Sequence, residues 1–170
     1  MKIKSLFSFL LLYQFLIFGF PASLKAVNDE VYFYCVQSSK EMLEVTNLNG
    51  LQLELEPLIN WDEIVSYNSL NYHIKIKKSA TKRILASEGK TFVVIVNGER
   101  IYSGKIWSAM SSVELLCPNI LIQDVLKGDE FLIRYGYPKH LSLGDSGKDV
   151  RNRPELLNCL RRGDKLKSKK

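Results

Sequence analysis

The chain is poor in the residues that most catalytic and metal chemistry requires. Its 170 residues hold two histidines, His73 and His140. A Ser/His/Asp arrangement needs a histidine oriented by a carboxylate and in reach of a nucleophile. The Gly-x-Ser-x-Gly elbow that would present such a serine is absent. The three cysteines, Cys35, Cys117 and Cys159, form no short-spaced pair and do not cluster with histidine, so no metal site is expected. No Gly-rich phosphate loop exists, since Gly98, Gly104 and Gly136 each have a turn or a bulge to explain them, and no cofactor is expected. The charge is also lopsided. The net +6 resolves into three lysines and no acid in residues 1–26, 12 basic against 14 acidic residues in 27–144, and 9 against 4 in 145–170. The body is slightly acidic, which argues against a nucleic-acid partner.

What is present begins with export. Met1-Lys2-Ile3-Lys4 is a short basic start, Leu6 to Phe20 is apolar but for Ser8, Gln14 and Gly19, and Pro21-Ala22-Ser23-Leu24-Lys25-Ala26 offers small residues to a peptidase. This is the layout of a secretory signal peptide, with cleavage expected after Ala26. The apolar stretch is short for a span, which takes about 20 residues; an uncleaved signal anchor is the alternative. No cysteine follows the apolar run, so no lipoprotein site is expected. Either way the expected location is periplasmic or extracellular, with membrane contact only through an uncleaved signal or the basic tail.

Residues 27–144 are expected to form a single α+β domain built on a mainly antiparallel sheet with one packed helix. Residues 31–36, Val-Tyr-Phe-Tyr-Cys-Val, read as a first strand. Ser38 and Glu41 have capping-box spacing, which competes with a hairpin joining residues 43–46 to 51–55 through Asn49-Gly50. Residues 57–59 read as a connector. Asn60 starts a helical turn in which Asp62 and Glu63 suit the positive end. In 72–77, Ile74 and Ile76 face in while His73, Lys75 and Lys77 face out. Ser79 is expected to cap a helix over 80–88 with Ala80, Ile84 and Leu85 as its stripe and Gly89 as its stop.

The strongest local signal is Thr91-Phe-Val-Val-Ile-Val-Asn97-Gly98-Glu-Arg-Ile-Tyr102. Asn-Gly between two β-prone runs predicts a two-residue type I′ hairpin. The unbroken run Phe92 to Val96 predicts a strand covered on both faces. In the second arm Ile101 and Ile106 are an odd number apart, so a shared face requires a bulge, expected at Ser103-Gly104. Two more strands are expected over 118–122 and 131–135, and Gly136-Tyr137-Pro138 is expected to end the folded part. Residues 145–170 read as a basic tail: a polar linker over 145–153, then a short helix with Pro154 at its first turn, Leu156, Leu157 and Leu160 as a stripe, and Cys159 as an exposed thiol.

The order strand (72–77), helix (80–88), strand (91–96), Asn-Gly turn, strand (99–105) resembles the head of the first periplasmic domain of SecD, a subunit of the bacterial protein-export machinery. Gly89-Lys90 and the stretch Val93 to Gly98 carry that outline. A wider pattern, Glu63-Ile64-Val65-Ser66-Tyr67, then Phe92 to Trp107, then Ser111-Ser112, then Gly136-Tyr137-Pro138, is similar to small exported bacterial proteins of unknown function that carry this module. The resemblance implies a fold and a compartment; it implies no activity.

Tyr102, Trp107, Ser111 and Ser112 form the candidate binding constellation, since aromatics on one hairpin face beside a small polar loop could receive a peptide or a glycan. The competing reading makes Tyr102 and Trp107 core aromatics and the serines a turn. Cys35 and Cys117 both flank strands and are the candidate disulfide pair. The function expected is a non-catalytic binding or accessory module of the envelope whose partner is an envelope protein or peptide. The alternatives are a secreted hydrolase and a membrane-tethered structural protein.

Overall fold

A computed structural model describes residues 29–37, 47–138 and 149–167. The apolar segment of residues 1–26, the capping box at 38–41, the hairpin arm at 43–46 and His140 lie outside these residues.

The fold is α+β. In chain order it comprises β1 (Val31–Val36), β2 (Leu53–Ile59), β3 (Ile64–Asn68), β4 (His73–Ile76), α1 (Lys78–Leu85), β5 (Thr91–Val96), β6 (Glu99–Trp107), β7 (Leu115–Leu121), α2 (Ile122–Val125), β8 (Glu130–Tyr137), α3 (Pro154–Arg162) and β9 (Leu166–Lys167). The strands make one sheet in the order β2-β1-β5-β6-β7-β8-β4-β3-β9. Its pairings are antiparallel except β6–β7 and β3–β9.

The sheet is strongly curled. Val31 and Phe33 of β1 line the same small apolar cavity as Ile64 and Tyr67 of β3. Six strand steps separate β1 from β3, and a flat sheet would hold them about 29 Å apart. The inner face therefore wraps around one core, in which Phe33, Phe92, Tyr102, Ile106, Ile120, Phe131 and Ile133 meet Ala80 and Ile84 of α1 and Leu156, Cys159 and Leu160 of α3.

The β5–β6 hairpin turns on Asn97 (φ 52°) and Gly98 (φ 86°), the double positive φ that a type I′ turn demands. Strand β5 is covered on both faces: Phe92, Val94 and Val96 enter the main core, while Val93 joins a second cluster with Val36 and Leu51. A bulge does restore the phase of β6, but not at Ser103-Gly104. Pairing is regular from Thr91↔Lys105 to Val94↔Tyr102, then jumps to Ile95↔Arg100, so the extra residue is Ile101. Gly104 answers to packing instead. A Cβ there would stand 2.5 Å from the Pro118 carbonyl oxygen and 2.7 Å from Phe92 Cε1.

Other expectations change for tertiary reasons. Pro57 lies inside β2 rather than in a connector, which is possible because β2 is an edge strand and needs no second row of donors. Helix α1 starts after Lys77, and the Ser79 hydroxyl, instead of capping it, donates to Glu63 Oε1 at 2.5 Å. Strands β7 and β8 start earlier than expected, at Leu115 and Glu130. The largest difference concerns the tail. Residues 149–167 are not a separate appendage: Leu156, Cys159 and Leu160 are buried in the main core, and β9 extends the sheet along β3.

Candidate functional site

The four residues singled out as a binding constellation are not brought together on one surface. From Tyr102 onward β6 alternates regularly, so Tyr102, Gly104 and Ile106 point inward while Ser103, Lys105 and Trp107 take the opposite face. Tyr102 is 3% exposed and meets Phe92 edge-on, with ring centroids 6.5 Å apart. Its hydroxyl is buried without a partner among the described residues, and burial pushes its pKa well above the usual tyrosine value. Tyr102 is thus a core residue and cannot line a ligand face. Trp107 is half-buried, with a shielded Nε1 that has no partner among the described residues. Ser111 spends its hydroxyl on the Val113 N–H at 3.2 Å, and Ser112 is exposed.

The cysteines are free. Cys35 on β1 and Cys117 on β7 are separated in the sheet by β5 and β6, which places them roughly 14 Å apart across three strand steps. A disulfide needs Cα atoms within about 7 Å, so this pair is not bridged. Cys159 is fully buried rather than exposed. Burial raises the Cys117 thiol to about 11, against a lowering influence of Lys105, and raises Cys159 to about 11 as well. Thiols held so high are poor nucleophiles at neutral pH. His73 is half-buried, and its Nδ1 is 3.6 Å from Glu130 Oε1. No group of three or more metal-ligating side chains occurs among the described residues.

The most developed polar constellation centres on Arg151, in the stretch read as a linker. Its guanidinium is buried between aromatic rings, 3.6 Å from the centroid of Tyr72 and 5.7 Å from that of Tyr135. It grips Asp149 through Nε at 2.8 Å and a terminal nitrogen at 2.5 Å, and donates to the Ile133 carbonyl at 2.9 Å. The Tyr67 hydroxyl donates to the Arg151 carbonyl at 3.0 Å, and Asn152 donates to the Ser69 carbonyl at 2.8 Å. Burial pushes the Asp149 carboxyl up, but the hydrogen bonds from Arg151 outweigh it, and the pKa lies below the ordinary aspartate value. Tyr72 reaches Arg151 from a backbone with φ 59°, uncommon for an aromatic residue. Every donor of this cluster that the structure records meets an acceptor within the fold. Its chemistry is that of a clamp: it fixes residues 149–152 across β3, the turn that follows it and β8 so that α3 can close the core.

A second clamp holds α1. The Glu63 carboxylate accepts from the Asn60 N–H at 2.9 Å, from Ser79 and from Arg83, whose Nε also bonds the Leu58 carbonyl at 3.1 Å. Burial raises the Glu63 pKa, but Ser79, the Asn60 amide and Arg83 together bring it below the usual value.

Apolar side chains are presented to solvent on the connection from β6 to β7, as they are singly at Leu55, Leu70 and Leu126. Parallel neighbours ordinarily need a dozen or more residues to connect. Here residues 108–114 suffice, because the two strands pair only over Lys105↔Asn119 to Trp107↔Leu121. The stem is fixed: Gln123 Oε1 accepts from the Ala109 N–H at 2.9 Å, its Nε2 donates to Ser108 at 3.1 Å, and the Tyr137 hydroxyl donates to the Ala109 carbonyl at 2.7 Å. From this stem Met110 is 89% exposed and Leu116 66%, with Val113 between them also open to solvent. The sequence shows these apolar residues but not their exposure, which depends on the parallel pairing. No protein-family model matches the chain, and no curated protein or solved structure matches it either.

Proposed function

We propose that the chain is an exported envelope protein that acts as a non-catalytic binding or accessory module. Export rests on the basic, apolar and small-residue order of residues 1–26. The binding role rests on one observation, the exposed apolar residues Met110 and Val113 carried on a connection pinned by Gln123 and Tyr137, with exposed Leu116 just beyond it on β7. Large apolar side chains held out on a fixed stem suit a protein or peptide partner of the envelope. The binding face is therefore moved from Tyr102 and Trp107 to the tip beside Ser111 and Ser112.

The proposed kinship with the SecD periplasmic head draws on the order β4, α1, β5, Asn-Gly turn, β6. In the sheet β4 and β5 are not neighbours, since β6, β7 and β8 stand between them. The likeness thus concerns element order and the hairpin. A hydrolase would need His73 in a recess beside a nucleophile, and the contact recorded for it is with the Glu130 carboxylate.

The test has two arms. Cells expressing the full chain, or the chain without residues 1–26, are fractionated; export of the first alone supports the compartment, and equal cytosolic retention of both sinks it. A photoreactive residue at 110 should then crosslink one envelope protein reproducibly, while the same residue at the equally exposed position 55 should not. Identical labelling from both positions removes the binding face.

A further inference from the structure

We infer that Asn49-Gly50 is a site of spontaneous covalent modification, where Asn49 is converted to aspartate and isoaspartate, and that the fold protects the identical dipeptide Asn97-Gly98 from the same reaction. This is independent of the export and binding readings. The chemistry is intrinsic to the dipeptide. The Gly50 amide nitrogen gives up its proton to base and attacks Cγ of Asn49. The new N–C bond closes a five-membered imide, while the side-chain nitrogen takes up a proton and leaves as ammonia. Water then opens the imide at either carbonyl. One opening yields aspartate; the other yields isoaspartate, in which the main chain runs through Cγ. Overall, water is taken up and ammonia released, with no enzyme or cofactor. Glycine favours the attack because no Cβ shields its nitrogen.

Ring closure brings the asparagine Cβ nearly into plane with the following amide nitrogen, a backbone geometry outside both the left-handed and the helical regions. Each asparagine must therefore leave its native conformation first, and the two do so at different cost. Asn97 stands at φ 52° in the turn between β5 and β6. Its N–H donates to the Glu30 carbonyl and its Oδ1 accepts from the Glu30 N–H, both at 3.0 Å. The buried Cys159 thiol donates to the same Oδ1 at 3.7 Å. Moving Asn97 breaks the turn, the Val96↔Glu99 pairing beside it and the junction with β1, where Val31 pairs with Val96.

Asn49 is the middle residue of a single 3-10 turn, Leu48–Gly50, that contains no buried residue. Asn49 and Gly50 are exposed, and among the described residues the Asn49 side chain makes no hydrogen bond. The bonds of the turn are local: the Leu51 N–H donates to the Leu48 carbonyl at 3.3 Å and the Asn49 N–H to Asn47 Oδ1 at 3.0 Å. Arg100 donates to the Leu48 carbonyl and, at 2.9 Å, to the Leu51 carbonyl. It pins the flanks of the turn and leaves the Asn49-Gly50 peptide between them to move. Isoaspartate adds a backbone atom between the two carbonyls that Arg100 holds. It should loosen that grip and the packing of Leu51 on Val36 and Val93, whereas ordinary aspartate at 49 should not.

The experiment ages the purified chain in mildly alkaline buffer at body temperature, folded and in urea, and follows both dipeptides by fragment-ion mass spectrometry. In the folded chain Asn49 should convert at least roughly tenfold faster than Asn97, the ratio set by their opening equilibria. In urea the two should convert at similar rates, since only local sequence then acts. Gly50→Ala should slow conversion at Asn49 without disturbing the fold, because the added methyl would meet only the Asn47 side chain, at 3.6 Å. The aged form carrying isoaspartate should melt below the fresh chain, and Asn49→Asp should melt with it. Equal rates in the folded chain, faster conversion at Asn97, or an Asn49 that converts in urea but not in the folded chain would each overturn the inference. An isoaspartate form that melts with the fresh chain would overturn the coupling to Leu51.

Discussion

The guanidinium of Arg151 stacks on Tyr72 at 3.6 Å and thereby joins residues 149–152 to the turn between β3 and β4. This contact, with the Asp149 pair behind it, holds α3 over the core. Removing one member of a buried ion pair leaves the other charged and uncompensated, and Arg151→Met should destabilise the fold by about 3 kcal/mol. Asp149→Leu/Arg151→Met, which leaves no orphan charge, should recover part of that loss. Urea unfolding followed by tryptophan fluorescence checks both. A single variant within about 0.5 kcal/mol of the native chain would show that the clamp contributes little beyond what a surface pair does.

How much of this was legible depends on the range of each interaction. The Asn97-Gly98 turn could be read because its requirement, positive φ at two adjacent residues, is local. The need for a bulge in β6 followed from the parity of Ile101 and Ile106. Its position did not, because Gly104 is explained by Phe92 and Pro118, which the sequence does not place beside it. Residues 145–153 looked like a linker because a polar, Gly-containing stretch usually is one. The partners that bury Arg151 come from the turn between β3 and β4 and from β8. Two signals were nevertheless present. Asp149 and Arg151 have the spacing of a local pair, and the stripe Leu156, Leu157, Leu160 implies a surface to cover. The candidate face failed for a related reason: Tyr102 and Trp107 are an odd number apart on a regular stretch of strand, and the bulge that could have aligned them lies before both.

Gly104→Ala tests the packing account of that glycine. The added methyl would meet the Pro118 backbone oxygen, which is fixed by the β7–β8 pairing, as well as the Phe92 ring. Overpacking of this kind costs about 1–3 kcal/mol. A thermal midpoint lowered accordingly is expected. An unchanged midpoint would mean that β7 yields freely, and that Gly104 has no steric reason to be glycine.

Tyr102→Phe makes the opposite prediction for a buried residue. The hydroxyl has no partner among the described residues, so deleting it removes a desolvation penalty while keeping the ring contact with Phe92. Stability should stay level or rise by up to about 1 kcal/mol, and crosslinking from position 110 should be unaffected. A marked loss of stability would reveal a bond to that hydroxyl. A loss of crosslinking alone would return Tyr102 to the binding face.

Acid should weaken the fold through Glu63. Its folded-state pKa is depressed below 4.5 although burial alone would raise it, because Ser79, the Asn60 amide and Arg83 all favour the carboxylate. A group with a depressed folded pKa contributes stability above its unfolded pKa and loses it as pH falls through the folded one. Asp149 behaves alike below 3.8, held down by Arg151. The urea midpoint should thus be flat through neutral pH and fall as pH drops below about 4.5. Glu63→Gln keeps the shape but cannot offer Arg83 a charge. It should be less stable than the native chain at neutral pH, and the gap should narrow as pH falls below about 4.5 and the native carboxylate takes up its proton. A gap that stays constant across that range would mean that Glu63 stabilises α1 by shape and hydrogen bonding rather than by its charge.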